Sequence, residues 1–406
     1  MRLDPAEQAW MRAKPTRAVM RALTAKGGAA RFVGGAVRNA VIGQEVSDVD
    51  IATPLVPEQV MARLRDAGVK IVPTGIDHGT VTAIAYGKPF EVTTLRRDVA
   101  TDGRRATIAH TTDWAEDAAR RDFTMNALYA DEDGALFDPT GGLADLKAGR
   151  VRFVGDARRR IREDYLRILR LFRFHAWYGK GALDADALAA AAAEKAGLAM
   201  LSGERVRKEV LRLLEAKECV PALRAMNDAG ILHAILPEAE FLDRLERLVA
   251  IAQGEKLAID PLLHLAALLK NRDRAQKTAE RLRLSNAARQ RLVNACDEEA
   301  RIEISLSGRA ARRLIYRLGK TGFRDRLLLA WAAQKDGAGT NWRDLLALVQ
   351  SWAKPEFPLD GRDALAAGVT QGPKVGRVLA ELETWWVEED FQPARTALLK
   401  RLQARA

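Results

Sequence analysis

The stretch FVGGAVRNAVIGQEVSDVDIAT, residues 32–53, holds the pattern on which the reading of this chain turns. A short run ending in Phe32-Val33 meets Gly34-Gly35, and a helical segment, AVRNAVIG, follows. Glycines at a strand-to-helix turn let backbone approach a phosphate without a Cβ clash, and the helix N-terminus adds N–H donors and a positive dipole end. Arg38, one turn into that helix, is placed to add charge-assisted hydrogen bonds to the same phosphate. Ten residues further, Asp48 and Asp50 stand two apart on an expected strand, so both carboxylates are expected on one face. Carboxylates that close repel each other, and a hard dication such as Mg²⁺ relieves the repulsion. An isolated Asp-x-Asp reads as a solvated turn, whereas its place after a strand, glycine turn and helix points to metal-assisted nucleotidyl transfer.

Working outward, strand signals crowd into the first 150 residues. SDVDIAT, VKIVPTG, GTVTAIAYG, PFEVTTLR and TMNALYA are short β-branched runs bounded by Gly, Pro and Asp. PEQVMARLRDAG reads as a helix ending at a C-capping Gly68. From residue 151 onward the chain is nearly continuous Leu/Ala/Arg helical periodicity, as in RRRIREDYLRILRLFRFHAWYG and GERVRKEVLRLLEA. The expected architecture is α+β: a head with a small mixed sheet over 1–150, then helical segments over 151–220, 221–308 and 309–406.

Composition narrows the function. The 406 residues are 48% hydrophobic and 29% charged, within the range of globular proteins. No run approaches the ~20 apolar residues of a membrane helix, and the N-terminus lacks the apolar core of a secretory signal. Two distant cysteines, Cys219 and Cys296, exclude a disulfide framework and fit a reducing cytoplasm. The first 150 residues hold 20 basic and 20 acidic side chains, and the remainder holds 45 and 34, so the whole excess of +11 lies in the helical part. That division suggests chemistry in the head and a polyanion on the helices, although genomic arginine enrichment produces the same count.

Further candidates surround the first motif. Glu91, in FEVTTLR, is either a third carboxylate or an outward-facing strand residue. Arg96 ends that run, and Arg104 and Arg105 fall in DVATDGRRATIAHTTD, which reads as a long polar loop over the site. In ARRDFTMNALY, Arg120 and Arg121 suit phosphate or base edges, and Asp122 and Asn126 suit a ribose hydroxyl. In IREDYLRILRLFRFH, three-residue steps place Asp164, Arg167, Arg170 and Arg173 on one winding stripe of an expected single helix. Asp accepts from an exocyclic amino group and Arg donates to ring acceptors, so Asp164 with Arg167 matches the pairing edge of cytosine or, slightly shifted, adenine. An ordinary i,i+3 ion pair is the alternative.

Taken in order, FVGGAVRN, SDVDIAT, FEVTTLR, DGRR, RRDFTMNALY, FDPTGG, REDYLRILRLFRF and ERVRKE resemble class II tRNA nucleotidyltransferases, the group of CCA-adding enzymes and bacterial poly(A) polymerases. The resemblance covers residues 31–215. It implies a nucleotidyltransferase head followed by helical neck, body and tail segments that hold RNA, with CTP and ATP as substrates, the tRNA 3′ end as partner and Mg²⁺ as cofactor. By motif, Asp48 and Asp50 are the implied metal ligands, and Gly34, Gly35 and Arg38 belong to the triphosphate turn. Arg121 and Asp122 are the implied nucleotide and ribose reader, and Asp164 and Arg167, backed by Arg170 and Arg173, the implied base selector. Glu204, Arg205 and Glu209 of ERVRKE fall in a segment that buttresses the neck. His264 lies where some relatives carry a phosphohydrolase module but has no His–Asp pair, so that activity is not expected. Gly372-Pro373-Lys374, with Gly368 and Gly376 nearby, opens a helix that either meets RNA phosphate or is a plain connection. Poly(A), CC-only and A-only addition remain rivals on the same motifs, with a non-catalytic RNA-binding protein further off. The absence of a long basic extension after the tail is expected of a compact tRNA enzyme, and no motif points to an obligate protein partner.

Overall fold

A computed structural model describes residues 2–405 apart from 74, 77, 78, 103, 104, 300, 301 and 335–339; at 98–102, 105–108 and 340 it describes backbone only. The chain forms two compact units, Met1–Pro237 and Glu238–Ala406.

The first unit is built on a seven-stranded sheet of order β3-β4-β5-β2-β1-β8-β9. Its strands are β1 (Arg31–Val33), β2 (Asp50–Thr53), β3 (Lys70–Val72), β4 (Thr80–Ala85), β5 (Lys88–Thr94), β8 (Tyr129–Ala130) and β9 (Leu136–Phe137). Only β2 and β5 run parallel, and the other neighbours are antiparallel, giving the mixed sheet expected. Alternating burial along β4, with Val81, Ala83 and Ala85 inside, shows one face packed and the other partly open. Helices Lys14–Thr24 and Pro57–Asp66 pack together over β3–β5 and bury Val19, Met20, Leu23, Val60 and Leu64. The second of these ends at Ala67 with Gly68 at φ 69°, the left-handed cap read from the sequence. Val33, Ala52, Leu95, Ala118, Tyr129 and Val154 form a further core cluster beneath the glycine turn.

Four local readings change. The segment expected as a loop is a two-stranded hairpin, β6 (Arg96–Asp102) with β7 (Arg105–His110). Its Thr, Val and Ile residues supply the β-propensity that the polar composition hid. Of that segment, Arg104 and the Arg105 side chain lie outside the described residues. TMNALYA is a 3₁₀ turn, Thr124–Asn126, before the two-residue β8. Strand β2 starts at Asp50, so Asp48 lies in the preceding connection and the two acids do not share a strand. On one side β1 ends opposite Asp50 at Val33 and turns away at Gly34, so residues 48 and 49 have no β1 partner. Finally, the expected single neck helix is two, Ala157–Glu163 and Leu166–Tyr178, with Asp164 at φ −157° between them.

Helix Leu166–Tyr178 buries Ile168, Leu169, Leu171 and Phe172 and packs against helices Gly203–Leu214 and Cys219–Asp228 of the same unit. The second unit is helical among its described residues. Its longest helix, Gly308–Ala333, is interrupted at Gly319 (φ 73°, ψ 163°), a backbone that favours glycine. Leu359, Val378, Leu382, Trp386, Leu398 and Leu402 form the core of its C-terminal part. Arg291 pairs with both Asp260 and Asp325, and His264 is buried on the short helix Pro261–Ala267. Gly372 (φ 122°) precedes Pro373 at the first turn of helix Pro373–Glu388, the opening expected there.

Candidate active site

Gly34 adopts φ 69° and ψ −123°, a conformation closed to residues with a Cβ, and it caps helix Gly35–Val41. A Cβ built there would stand 3.7 Å from Arg121 Nη1. The turn thus brings bare backbone, a helix N-terminus and a guanidinium edge together.

Arg38 lies on that helix but is buried, and its donors are engaged. Nη1 donates to Asn126 Oδ1 at 2.6 Å, Nη2 to Tyr178 Oη at 2.7 Å and to Asn39 Oδ1 at 2.9 Å. Its guanidinium also stacks 4.1 Å over the Tyr178 ring, and burial lowers its pKa from the usual arginine range. Arg38 therefore ties the glycine-turn helix to the neck helix Leu166–Tyr178.

The acidic candidates meet at the head of β2. Asp50 is in register with Glu91 on parallel β5, and Val33 lies on its other side. Burial, then the Glu91 and Asp48 charges, push the Asp50 carboxyl up to about 6, while Arg121 opposes them. Among the described residues the Asp50 carboxylate accepts no hydrogen bond. Ser47 Oγ donates to Asp48 at 3.0 Å. No three His, Cys, Asp or Glu side chains among the described residues form a ready-made metal cage. The donor set is thus a destabilised carboxylate with a second acid two residues away, a pair that a hard cation sharing its shell with phosphate oxygens would fit.

Arg121 is positioned by residues the sequence reading passed over. Asp117 is 1% exposed and accepts from Arg121 Nη2 at 3.0 Å, from Tyr129 Oη at 2.7 Å, from Arg120 Nε at 2.8 Å and from the Arg96 backbone N–H at 3.3 Å. Burial disfavours its charge, but Arg121 and Arg120 outweigh burial and hold it below the usual carboxylate range. The spacing of Asp117 to Arg120 and Arg121, three and four residues on, was the available signal.

Asp122 is spent inside the protein. Oδ2 takes Arg170 Nε at 2.8 Å and also Nη2, while Oδ1 takes Phe123 N–H at 2.8 Å and Asn126 Nδ2 at 3.0 Å. Burial raises its pKa, but Arg170 and these donors overcome that and hold it far below the carboxylate range. Arg173 Nε donates to the buried Glu209 at 2.6 Å, and Arg170 lies 3.9 Å from the same residue. A continuous polar chain thus runs Tyr178–Arg38–Asn126–Asp122–Arg170–Glu209–Arg173.

Asp164 and Arg167 do not pair with each other among the described residues. Asp164 Oδ2 takes Arg205 Nη2 at 2.7 Å, and Oδ1 takes the Leu166 N–H at 3.1 Å. Arg167 Nη1 donates to Glu163 at 2.6 Å and to the Arg160 carbonyl at 2.8 Å. Each keeps part of its side chain open, 29% for Asp164 and 14% for Arg167.

Comparison with known proteins places these features in a family. Residues 30–152 match the Poly A polymerase head domain, and residues 182–242 match the family described as probable RNA and SrmB-binding site of polymerase A. The mitochondrial CCA tRNA nucleotidyltransferase 1 of Mus musculus is 34% identical, the match covering 92% of this chain and 86% of that protein. The chain belongs to the class II CCA-adding enzymes. A CCA-adding enzyme of Levilactobacillus brevis is 32% identical over 90% of this chain and 91% of its own length. Among solved structures, the CCA-adding enzyme of Bacillus stearothermophilus in complex with CTP superposes with a TM-score of 0.77 at 27% identity, covering 97% of this chain and 98% of that one. In this member of the CCA-adding enzymes, Asp117 and Tyr178 join the motif residues from outside the motifs quoted for chemistry, while Tyr129 and Glu163 stand inside two of those motifs without having been singled out.

Proposed function

We propose that this chain completes or repairs the 3′-terminal CCA of tRNA, taking CTP and ATP without a nucleic-acid template. The observation that carries the reading is the meeting, at one end of β2, of Asp50, Glu91 and Asp48 with the Gly34 turn and Arg121. Asp48 and Asp50 would hold Mg²⁺, which when bound neutralises triphosphate charge and polarises the phosphate under attack. The backbone at Gly34-Gly35 and Arg121 would seat the triphosphate. Asp164 would accept from the base's amino group, and Arg167 would donate to its ring acceptors. Asp122 and Asn126, expected to read ribose, serve in this reading as the link between Arg38 and Arg170. The reaction joins the tRNA 3′-OH to the α-phosphate with loss of pyrophosphate, and its rate comes from positioning and charge neutralisation. We assign a reducing cytoplasm, supported by two buried free thiols.

The test offers tRNAs ending before CCA, at C and at CC, with each nucleoside triphosphate singly and mixed, and sequences the 3′ ends. Completion to CCA and no further is expected. A long A tail, or arrest after CC, would replace this reading with one of its rivals.

A further inference from the structure

Arg121 is held on one edge and open on the other. Its Nε is shared between Asp117 Oδ2 at 3.3 Å and Tyr129 Oη at 3.1 Å, and Nη2 donates to Asp117 at 3.0 Å. Tyr129 Oη in turn donates to the same Asp117 oxygen at 2.7 Å, so the three groups close a ring of hydrogen bonds. Nη1 makes no hydrogen bond among the described residues and lies beside the Gly34 turn. Tyr129 is fully buried and Asp117 nearly so, which removes competing water and fixes both partners. A planar guanidinium committed through Nε and Nη2 has its orientation fixed, and with it the direction of the two N–H groups on Nη1. The other Asp117 oxygen holds Arg120 and the first backbone N–H of β6, so the same carboxylate also anchors the hairpin strand.

We propose that Tyr129 and Asp117 are positioning residues for nucleotide binding: together they aim Arg121 Nη1 at the Gly34 turn, where it meets a triphosphate oxygen. Neither touches the nucleotide, and both act through Arg121. The proposal rests on the nucleotidyl-transfer reading above.

The experiment uses the full chain and two readouts: equilibrium binding of CTP with Mg²⁺ by calorimetry, and steady-state extension of tRNA lacking CCA. Tyr129→Phe keeps the buried ring and removes one hydroxyl. It is expected to weaken CTP binding and raise KM for CTP about five- to tenfold, with kcat within about twofold. Asp117→Asn is expected to act in the same direction and more strongly. In an Arg121→Ala background Tyr129→Phe is expected to add nothing, because the group it positions is gone. Unchanged CTP binding in Tyr129→Phe, or an equal loss in the Arg121→Ala background, overturns the proposal. Should Asp117→Asn fail to fold, the Tyr129 and Arg121 variants decide alone. A wild-type chain that binds CTP but does not extend tRNA overturns the proposed activity and leaves the clamp judged on binding. A wild-type chain that does not bind CTP overturns both.

Discussion

Asp50 stands at the first residue of β2 with Glu91 across from it on β5, and burial and that neighbour together push its carboxyl up to about 6. The sign of the consequence follows from the direction of the shift. A carboxyl whose pKa is higher folded than unfolded contributes stability below the unfolded value near 3.8, and that contribution is lost as pH rises through about 6. Without metal, thermal stability is therefore expected to fall across this window, and Asp50→Asn is expected to flatten the fall. Mg²⁺ is expected to raise the melting temperature more at pH 7.5 than at pH 5, and to lose that effect in Asp50→Asn; equal metal effects at both pH values would contradict the assignment. Replacing Asp48 or Asp50 by Ala is expected to lower CTP incorporation at least about a thousandfold with the circular dichroism spectrum unchanged. At this scale the acids and glycines were legible because their chemistry is local, two residues apart or adjacent at a turn. Asp117 and Tyr129 were not, because their meaning lies in a ring of hydrogen bonds closed by folding across 12 residues.

The neck helix shows how an element can be read correctly in kind and wrongly in extent. Its apolar period predicted a helix through Tyr178, and Leu166–Tyr178 is one. The break at Asp164 carries no Pro or Gly. Its cause is a side chain: Asp164 Oδ1 accepts the Leu166 N–H and starts a new helix, leaving Oδ2 to Arg205. The two side chains turn to other partners, Asp164 to Arg205 and Arg167 to Glu163, although the Arg167 N–H still donates to the Asp164 carbonyl at 3.0 Å. Both side chains remain partly open, as the proposed base-selecting role requires. Asp164→Asn replaces an acceptor-only group with one that also donates, and is expected to raise misincorporation of UTP relative to CTP about tenfold, read by sequencing products from mixed nucleotides. Arg170 belongs to the same element and is tied to Asp122 and Glu209. Arg170→Ala would leave the Asp122 charge buried with only its Asn126 and Phe123 donors, at a cost of about 2–4 kcal/mol in urea denaturation. Arg170→Lys is expected to recover part of that.

Across the whole chain, the basic excess raises the question of whether charge serves RNA or merely reflects composition. The formal charge is zero over residues 1–150, +5 over 151–237 and +6 over 238–406. Many arginines of the second unit are consumed internally: Arg291 by Asp260 and Asp325, Arg326 by Asp297, Arg312 by Asp390 and Arg281 by Glu238. Each such pair cancels one acid, so the surplus is carried by basic side chains that no acid of the chain can balance, and it stays available to a polyanion. Binding that releases counterions from phosphates weakens in proportion to the logarithm of salt. Raising NaCl from about 50 to 200 mM is therefore expected to raise KM for tRNA roughly ten- to a hundredfold, as a few phosphate contacts would give, with kcat little changed. A compositional surplus without an RNA role would leave KM for tRNA nearly flat over the same range, because surface arginines outside the tRNA path release no counterions on binding.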